Sequence, residues 1–179
     1  MNPYCNLLAL TISPLIEGYD ITKITEVHES INLDQINPEI KTLLRNLGIT
    51  VSWIEIFYRK PKQNSKIHVD NMLSDFTKIN WVYKGIHSRM FWFNVKDRAI
   101  SKTASTTIVN TKYITYDFSE VNFVHSTSIL GPALVQVGIP HLISNPVEDR
   151  YCLSFTLTDL EGNRLTMERA QQLLVNHIN

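Results

Sequence analysis

The apolar positions along this chain keep a helical period near its two ends and a strand period between them. In "NPEIKTLLRNLG" (37–48), Ile40, Leu43, Leu44 and Leu47 recur at helical spacing and form one stripe. Asn37 suits the cap of that helix, Pro38 its first turn, and Gly48 the position after its last turn. The spacing predicts a short amphipathic helix over 38–47. A second helix is predicted over 167–176, in "TMERAQQLLVNH", capped by Thr166.

Between the helices the runs are short, β-branched and aromatic. "ITVSWIEIFYRKP" (49–61), "KIHVD" (66–70), "KINWVYKG" (78–85) and "RMFWFNV" (89–95) read as strands, with "GIHS" a turn before the last. "TTIVN" and "KYITYDF" read as two more. "ALVQVGIPHLIS" (133–144) and "RYCLSFTL" (150–157) read as a hairpin pair joined by "NPVED". The first 35 residues mix an apolar segment, Leu7 to Ile12, with polar, loop-like sequence. About seven or eight short strands with turn signals between them predict a mainly β sandwich or jelly-roll barrel rather than a parallel sheet. Its core strands run over about 50–157, and the flanking helices cover one outer face.

Length and charge narrow the reading. The 179 residues suit one domain over 1–179 with a sizeable core. Seventeen basic and seventeen acidic residues leave no net charge, which disfavours a nucleic-acid backbone or an anionic membrane as partner. The N-terminal apolar run lacks a basic flank, and no run approaches the roughly 20 apolar residues of a membrane span. A cytoplasmic protein is expected. Cys5 and Cys152 fit no C-x-x-C pattern and are expected to be reduced, buried thiols.

Candidate chemistry begins in "SKIHVDNML" (65–73). Residues two apart on a strand project to one face, so His68 and Asp70 present an imidazole and a carboxylate side by side. A symmetric hairpin at "NPVED" would set His141 opposite Arg150 on one face. Val135, Val137 and Ile139 share the phase of His141, which makes that face an interior. A buried arginine needs a partner. Candidates are a carboxylate of the chain, such as Asp70, Asp117, Glu148 or Asp149, or the carboxylate of a bound small molecule, which a planar guanidinium grips with two hydrogen bonds. Two imidazoles and one carboxylate on one side of a metal leave open positions, the arrangement used in non-haem Fe(II) oxygen chemistry.

With "HVD" at 68–70, "IPH" at 139–141 and "EDRYCLSF" at 148–155, the chain resembles the Fe(II)/2-oxoglutarate-dependent oxygenases. The likeness runs over roughly 52–157. It is to short members encoded by tailed phages and marine bacteria, with some likeness to aspartyl/asparaginyl hydroxylase domains. It implies a double-stranded β-helix of the jelly-roll or cupin type, in the host cytoplasm where the gene is a phage's. It implies His68, Asp70 and His141 as catalytic iron ligands, and Arg150 as the group holding the distal carboxylate of 2-oxoglutarate. Asn80 and Tyr58 fall where members place further co-substrate contacts. The reaction implied is hydroxylation of a C–H bond in a small-molecule or peptide substrate, with release of succinate and CO₂. One departure is Cys152, two residues after Arg150, where many members carry a hydroxyl. A cupin-like metalloprotein that does not use 2-oxoglutarate, or a non-catalytic jelly-roll binding or assembly protein, are the alternatives.

The remaining singular residues have plainer readings. His28, His87, His125 and His177 lack comparable partners and read as surface or core, His125 being the one nearest the mouth. Trp53, Trp81 and Trp92 read as core packing, with Trp81 opposite in phase to Asn80 and so outside the barrel. "RKPKQNSK" (59–66) carries four basic residues. It reads as a solvated loop, placed where it can also grip an acidic substrate.

Overall fold

The structure is a computed structural model and describes residues 1–70, 75–105, 112–145 and 147–179. In chain order its strands are β1 (Cys5–Leu7), β2 (His28–Ser30), β3 (Thr50–Arg59), β4 (Ile67–Val69), β5 (Thr77–Lys84), β6 (Arg89–Val95), β7 (Lys102–Ser105), β8 (Lys112–Tyr116), β9 (Val121–Thr127), β10 (Gly131–Gln136), β11 (His141–Ser144) and β12 (Arg150–Thr158). Helix α1 (Pro38–Asn46) precedes β3, and α2 (Met167–Leu173) follows β12. The strands form two six-stranded antiparallel sheets, β1-β10-β5-β12-β3-β2 and β7-β8-β4-β11-β6-β9. Consecutive strands alternate repeatedly between the sheets, which is the winding of a jelly roll. The mainly β, jelly-roll expectation holds.

Both helices start where their caps predict. The Asn37 side chain accepts from the Glu39 N–H, and Thr166 accepts from the Arg169 N–H. Helix α2 is shorter than its sequence pattern suggests and passes into a single 3₁₀ turn at Val175–His177. Ile40 and Leu44 of α1, and Met167, Ala170 and Leu174 at α2, pack with Ile54, Ile56, Trp81, Leu134, Leu153 and Phe155 on the outer face of the first sheet. Each such side chain, fully buried, contributes about 1.5–3 kcal/mol. The helices thus cover one outer face, and Trp81 lies outside the barrel, 4.8 Å from Phe155.

The hairpin expectation is corrected. Residues 133–144 are not one strand, and β11 does not pair with β12. β10 ends at Gln136 in the first sheet, and β11 starts at His141 in the second. Pro140 has no N–H to extend a ladder. The N–H groups of Val137 and Gly138 both turn to the Phe76 carbonyl, at 2.8 and 3.0 Å, so the chain leaves one sheet for the other here. His141 therefore faces His68 and Trp92 across the second sheet, while Arg150 lies opposite Arg59 and Lys84 in the first. The return crossing is clamped by Asn145, whose Nδ2 donates to the carbonyls of Arg59, Lys60 and Glu148. Strands β1, β2, β7 and β9 have no counterpart in the sequence reading, and "TTIVN" lies outside the described residues. Cys5 and Cys152 are free and buried, and burial pushes the Cys5 thiol up to about 12.

Candidate metal centre

Alternation on β4 buries Ile67 and Val69 and turns His68 inward between them. Asp70 follows directly, held by its N–H to the Val137 carbonyl at 3.0 Å. His141 opens β11 directly across from His68. The ligand atoms of His68, Asp70 and His141 all lie within 4.8 Å of one another. Asp70 Oδ1 is 3.4 Å from His68 Nε2 and 3.8 Å from His141 Nε2. The two rings are 4.3 Å apart and tilted by 49°.

Each ring is oriented in the same way. His68 Nδ1 lies 2.9 Å from the Lys66 carbonyl, and His141 Nδ1 lies 2.9 Å from the Ile139 carbonyl. A carbonyl only accepts, so each Nδ1 carries a proton and each Nε2 is the ring nitrogen turned toward Asp70. That is the second-layer support usual for metal-bound histidines. Burial, with His68 adding to it, drives the His141 imidazole down to about 3, so it is neutral near pH 7. Burial alone would raise the Asp70 carboxyl. Lys78, with His68 and His141, outweighs it and holds the group well below the usual carboxylate range. Two imidazoles and one carboxylate, all aimed at one point, fit a divalent transition-metal ion.

The second oxygen of Asp70 is taken by a residue absent from the sequence reading. Lys78 Nζ is 2.9 Å from Asp70 Oδ2 and 2.8 Å from Glu55 Oε2. Glu55 Oε1 in turn meets His28 Nε2 at 2.9 Å. His28 stacks on Phe57 with ring centroids 4.8 Å apart. A buried line of charge thus runs from edge strand β2 through β3 and β5 to the triad. The signals for it were Glu55 inside the apolar run "WIEIF", and Lys78 in phase with Asn80 on a strand otherwise buried.

Of the other sequence-predicted residues, Arg150 and Asn80 face the interior and Tyr58 does not. Arg150 is 3% exposed, and its Nε donates to Ser88 Oγ at 3.2 Å. Among the described residues no carboxylate lies within 4.0 Å of it. Asp149 instead accepts from the Tyr58 hydroxyl, Glu148 from the Ile86 N–H, and Asp117 pairs with Lys102. Gly85, at φ +71°, makes room, because a Cβ there would lie 2.9 Å from Arg150 Cβ. Ser88 precedes Trp92, the residue opposite His141, by four positions, or about 13 Å of strand. Arg150 and the triad therefore occupy two levels of one interior. Asn80 Oδ1 accepts from Ser154 Oγ at 2.7 Å. Tyr58 lies on the opposite face of β3, stacked 4.9 Å from Tyr151.

A cavity of about 1160 Å³ opens onto His68, Asp70 and Lys78, with Glu55, Phe57 and Phe76 among its walls. Trp53, expected in the core, is 47% exposed and also lines this cavity. Arg150 and His141 are not among the residues that line it. His125 stacks on Tyr4 instead, 5.3 Å away.

No protein-family model and no curated protein matches this sequence. Among solved structures, the chain is similar to E. coli ycfD, with 12% identity and a TM-score of 0.42 over 89% of this chain and 43% of that one. It is similar to a cupin 2 domain-containing protein from Halorhodospira halophila, with 8% identity and a TM-score of 0.35 over 96% and 90%. It is also similar to the capsular polysaccharide assembling protein CapF from Staphylococcus aureus, with 13% identity and a TM-score of 0.30 over 60% and 24%. The chain thus spans about a quarter of the length of CapF and less than half that of ycfD. With TM-scores this low, the jelly-roll assignment rests on the strand order. No helix among the described residues is long and apolar enough to cross a membrane.

Proposed function

We propose that the protein is an Fe(II)- and 2-oxoglutarate-dependent dioxygenase that hydroxylates a C–H bond of a small-molecule or peptide substrate. The observation that carries this reading is the pair of imidazoles, each oriented through Nδ1 by a carbonyl, converging with Asp70 Oδ1. Iron bound there supplies oxygen activation coupled to decarboxylation of the keto acid to succinate and CO₂. The chain's own residues do the positioning. His68 and His141 are held as lone-pair donors. Lys78 occupies Asp70 Oδ2 and leaves Oδ1 as the single oxygen facing the metal. Arg150, without a carboxylate partner among the described residues, is available to the distal carboxylate of the co-substrate. Buried Trp92, Val135 and Val137 line the interior behind the triad and exclude water.

The test is an anaerobic titration with Fe(II) and then 2-oxoglutarate. A weak visible charge-transfer band that needs both components is expected, lost in His141→Ala and shifted to higher co-substrate concentration in Arg150→Ala. No band together with no iron retained on desalting overturns the reading. A second reading is a metalloprotein that does not use 2-oxoglutarate. It is favoured by one observation, that Arg150 does not line the cavity reaching His68 and Asp70. Iron retained without the band would select it.

A further inference from the structure

The basic segment 59–66 is unused by the metal centre, yet the fold folds it over the way in. Arg59 and Lys66, from either end of that segment, line the cavity that reaches His68 and Asp70. Lys112 and Arg164 line it too, and Arg164 lies 4.7 Å over the Phe76 ring. The carboxylates among the lining residues are Glu55 and Asp70, and both already engage Lys78. Among the described residues, no carboxylate lies within 4.0 Å of Arg59, Lys66 or Lys112. A chain with no net charge therefore concentrates positive charge at one opening, and such clefts raise the local concentration of anions. Trp53, an exposed indole, lines the same cavity six residues before Arg59 on β3, about 20 Å of strand away. The cavity, about 1160 Å³, is at the upper end of small-ligand pockets, which run to about 1,000 Å³, so it admits a molecule larger than a simple diacid.

We infer that this cavity binds an anionic ligand, a phosphate- or carboxylate-bearing molecule whose charge meets Arg59, Lys66 and Lys112. As the substrate class of the metal site, the inference rests on the function proposed above. As a binding site, it stands on the cavity alone. Arg59 is the inner anchor, half-buried on β3 and aimed into the barrel beside Arg150. Lys66 and Lys112 are exposed and act from the rim, so their contribution falls with salt.

Calorimetry reads the site without a metal. Inorganic pyrophosphate and citrate are titrated separately at low ionic strength into the metal-free chain. Saturable binding is expected, and Lys66→Glu/Lys112→Glu should raise the apparent Kd about tenfold or more. Both lysines are exposed, so the double variant should fold, which circular dichroism checks. Binding of pyrophosphate alone assigns a phosphate, and of citrate alone a carboxylate; either supports the site. Absence of binding by both, or equal affinity of wild type and double variant, overturns it. Because no iron is present, this outcome is independent of the charge-transfer band, so either idea can fail while the other stands.

Discussion

Strands β3, β5 and β12 bury much of both faces, and the inner one adds charged and polar side chains to an apolar set that includes Phe57, Val82 and Cys152. The outer one carries Ile54, Ile56, Ile79, Trp81, Leu153 and Phe155 against the helices. The inner one carries Glu55, Lys78, Asn80, Arg150 and Ser154, each less than 9% exposed. The outer face stabilises by area removed from water, without direction. The inner face holds charges out of water, which costs several kcal/mol per ion unless each is answered. Glu55 and Lys78 answer one another and Asp70; Asn80 and Ser154 answer each other; Arg150 meets Ser88 and the Cys152 thiol, with no carboxylate among the described residues. A face that keeps such groups where leucine would be simpler is the one to search for chemistry.

Breaking the outer face should cost most. Phe155→Ala is expected to lose about 3–5 kcal/mol of stability, measured by urea unfolding, while the folded fraction keeps its metal affinity. On the inner face, Lys78→Met leaves Glu55 and Asp70 buried without their cation and should lose about 3 kcal/mol or more. Adding Glu55→Gln to it should recover part of that loss. No recovery would show that Lys78 is held by packing rather than by charge. Next comes His141→Ala, which removes a ligand. Fe(II) at a hundredfold over its Kd should stabilise the wild type by about 2.7 kcal/mol and the variant by almost nothing, read as a thermal shift. Gly85→Ala forces a left-handed conformation, costing roughly 1–2 kcal/mol, and presses on Arg150. Iron retention should survive while the keto-acid affinity falls.

The smallest effect is in acid. Burial alone would raise the Glu55 carboxyl, but Lys78 and His28 together hold it below its ordinary value. A carboxyl depressed in the folded state adds stability that is present above its unfolded pKa of about 4.3 and lost as pH falls through the lower folded value. Urea midpoints should therefore drop more steeply below about pH 4 in the wild type than in Glu55→Gln. Equal slopes would remove Glu55 from the account.

The two faces were not equally legible in the sequence. Helix α1 could be placed nearly to the residue because its caps and its stripe are local. His68 and Asp70 were found through simple strand alternation. His141 was paired with the wrong partner, because a hairpin is the default for two apolar runs near each other. The crossing at 137–140 depends on the Phe76 carbonyl, some sixty residues away in sequence, and no local pattern reports it. Tyr58 shows the limit of spacing without phase: it sits one residue from Phe57 and Arg59 and so faces the helices. A lysine in a strand is usually solvated, so nothing local marks Lys78; its burial is set by Glu55 on β3 and by Asp70 just after β4. Trp53 is of a residue type usual in cores, yet it stands largely exposed.

The direct facing of His68 and His141 also bears on how the chain folds. Their strands are separated by about seventy residues, and β5 to β10 lie between them in the chain. Closing so long a loop carries an entropic cost that grows with its length, and sheets built from such pairings fold slowly. The two histidines cannot converge on Asp70 until β11 has docked against β4. A metal ion held by the proposed centre could not template the early chain as it does in a short zinc loop. It would arrive as the last component, onto a barrel already closed, and its contribution is expected in the unfolding rate rather than in the folding rate.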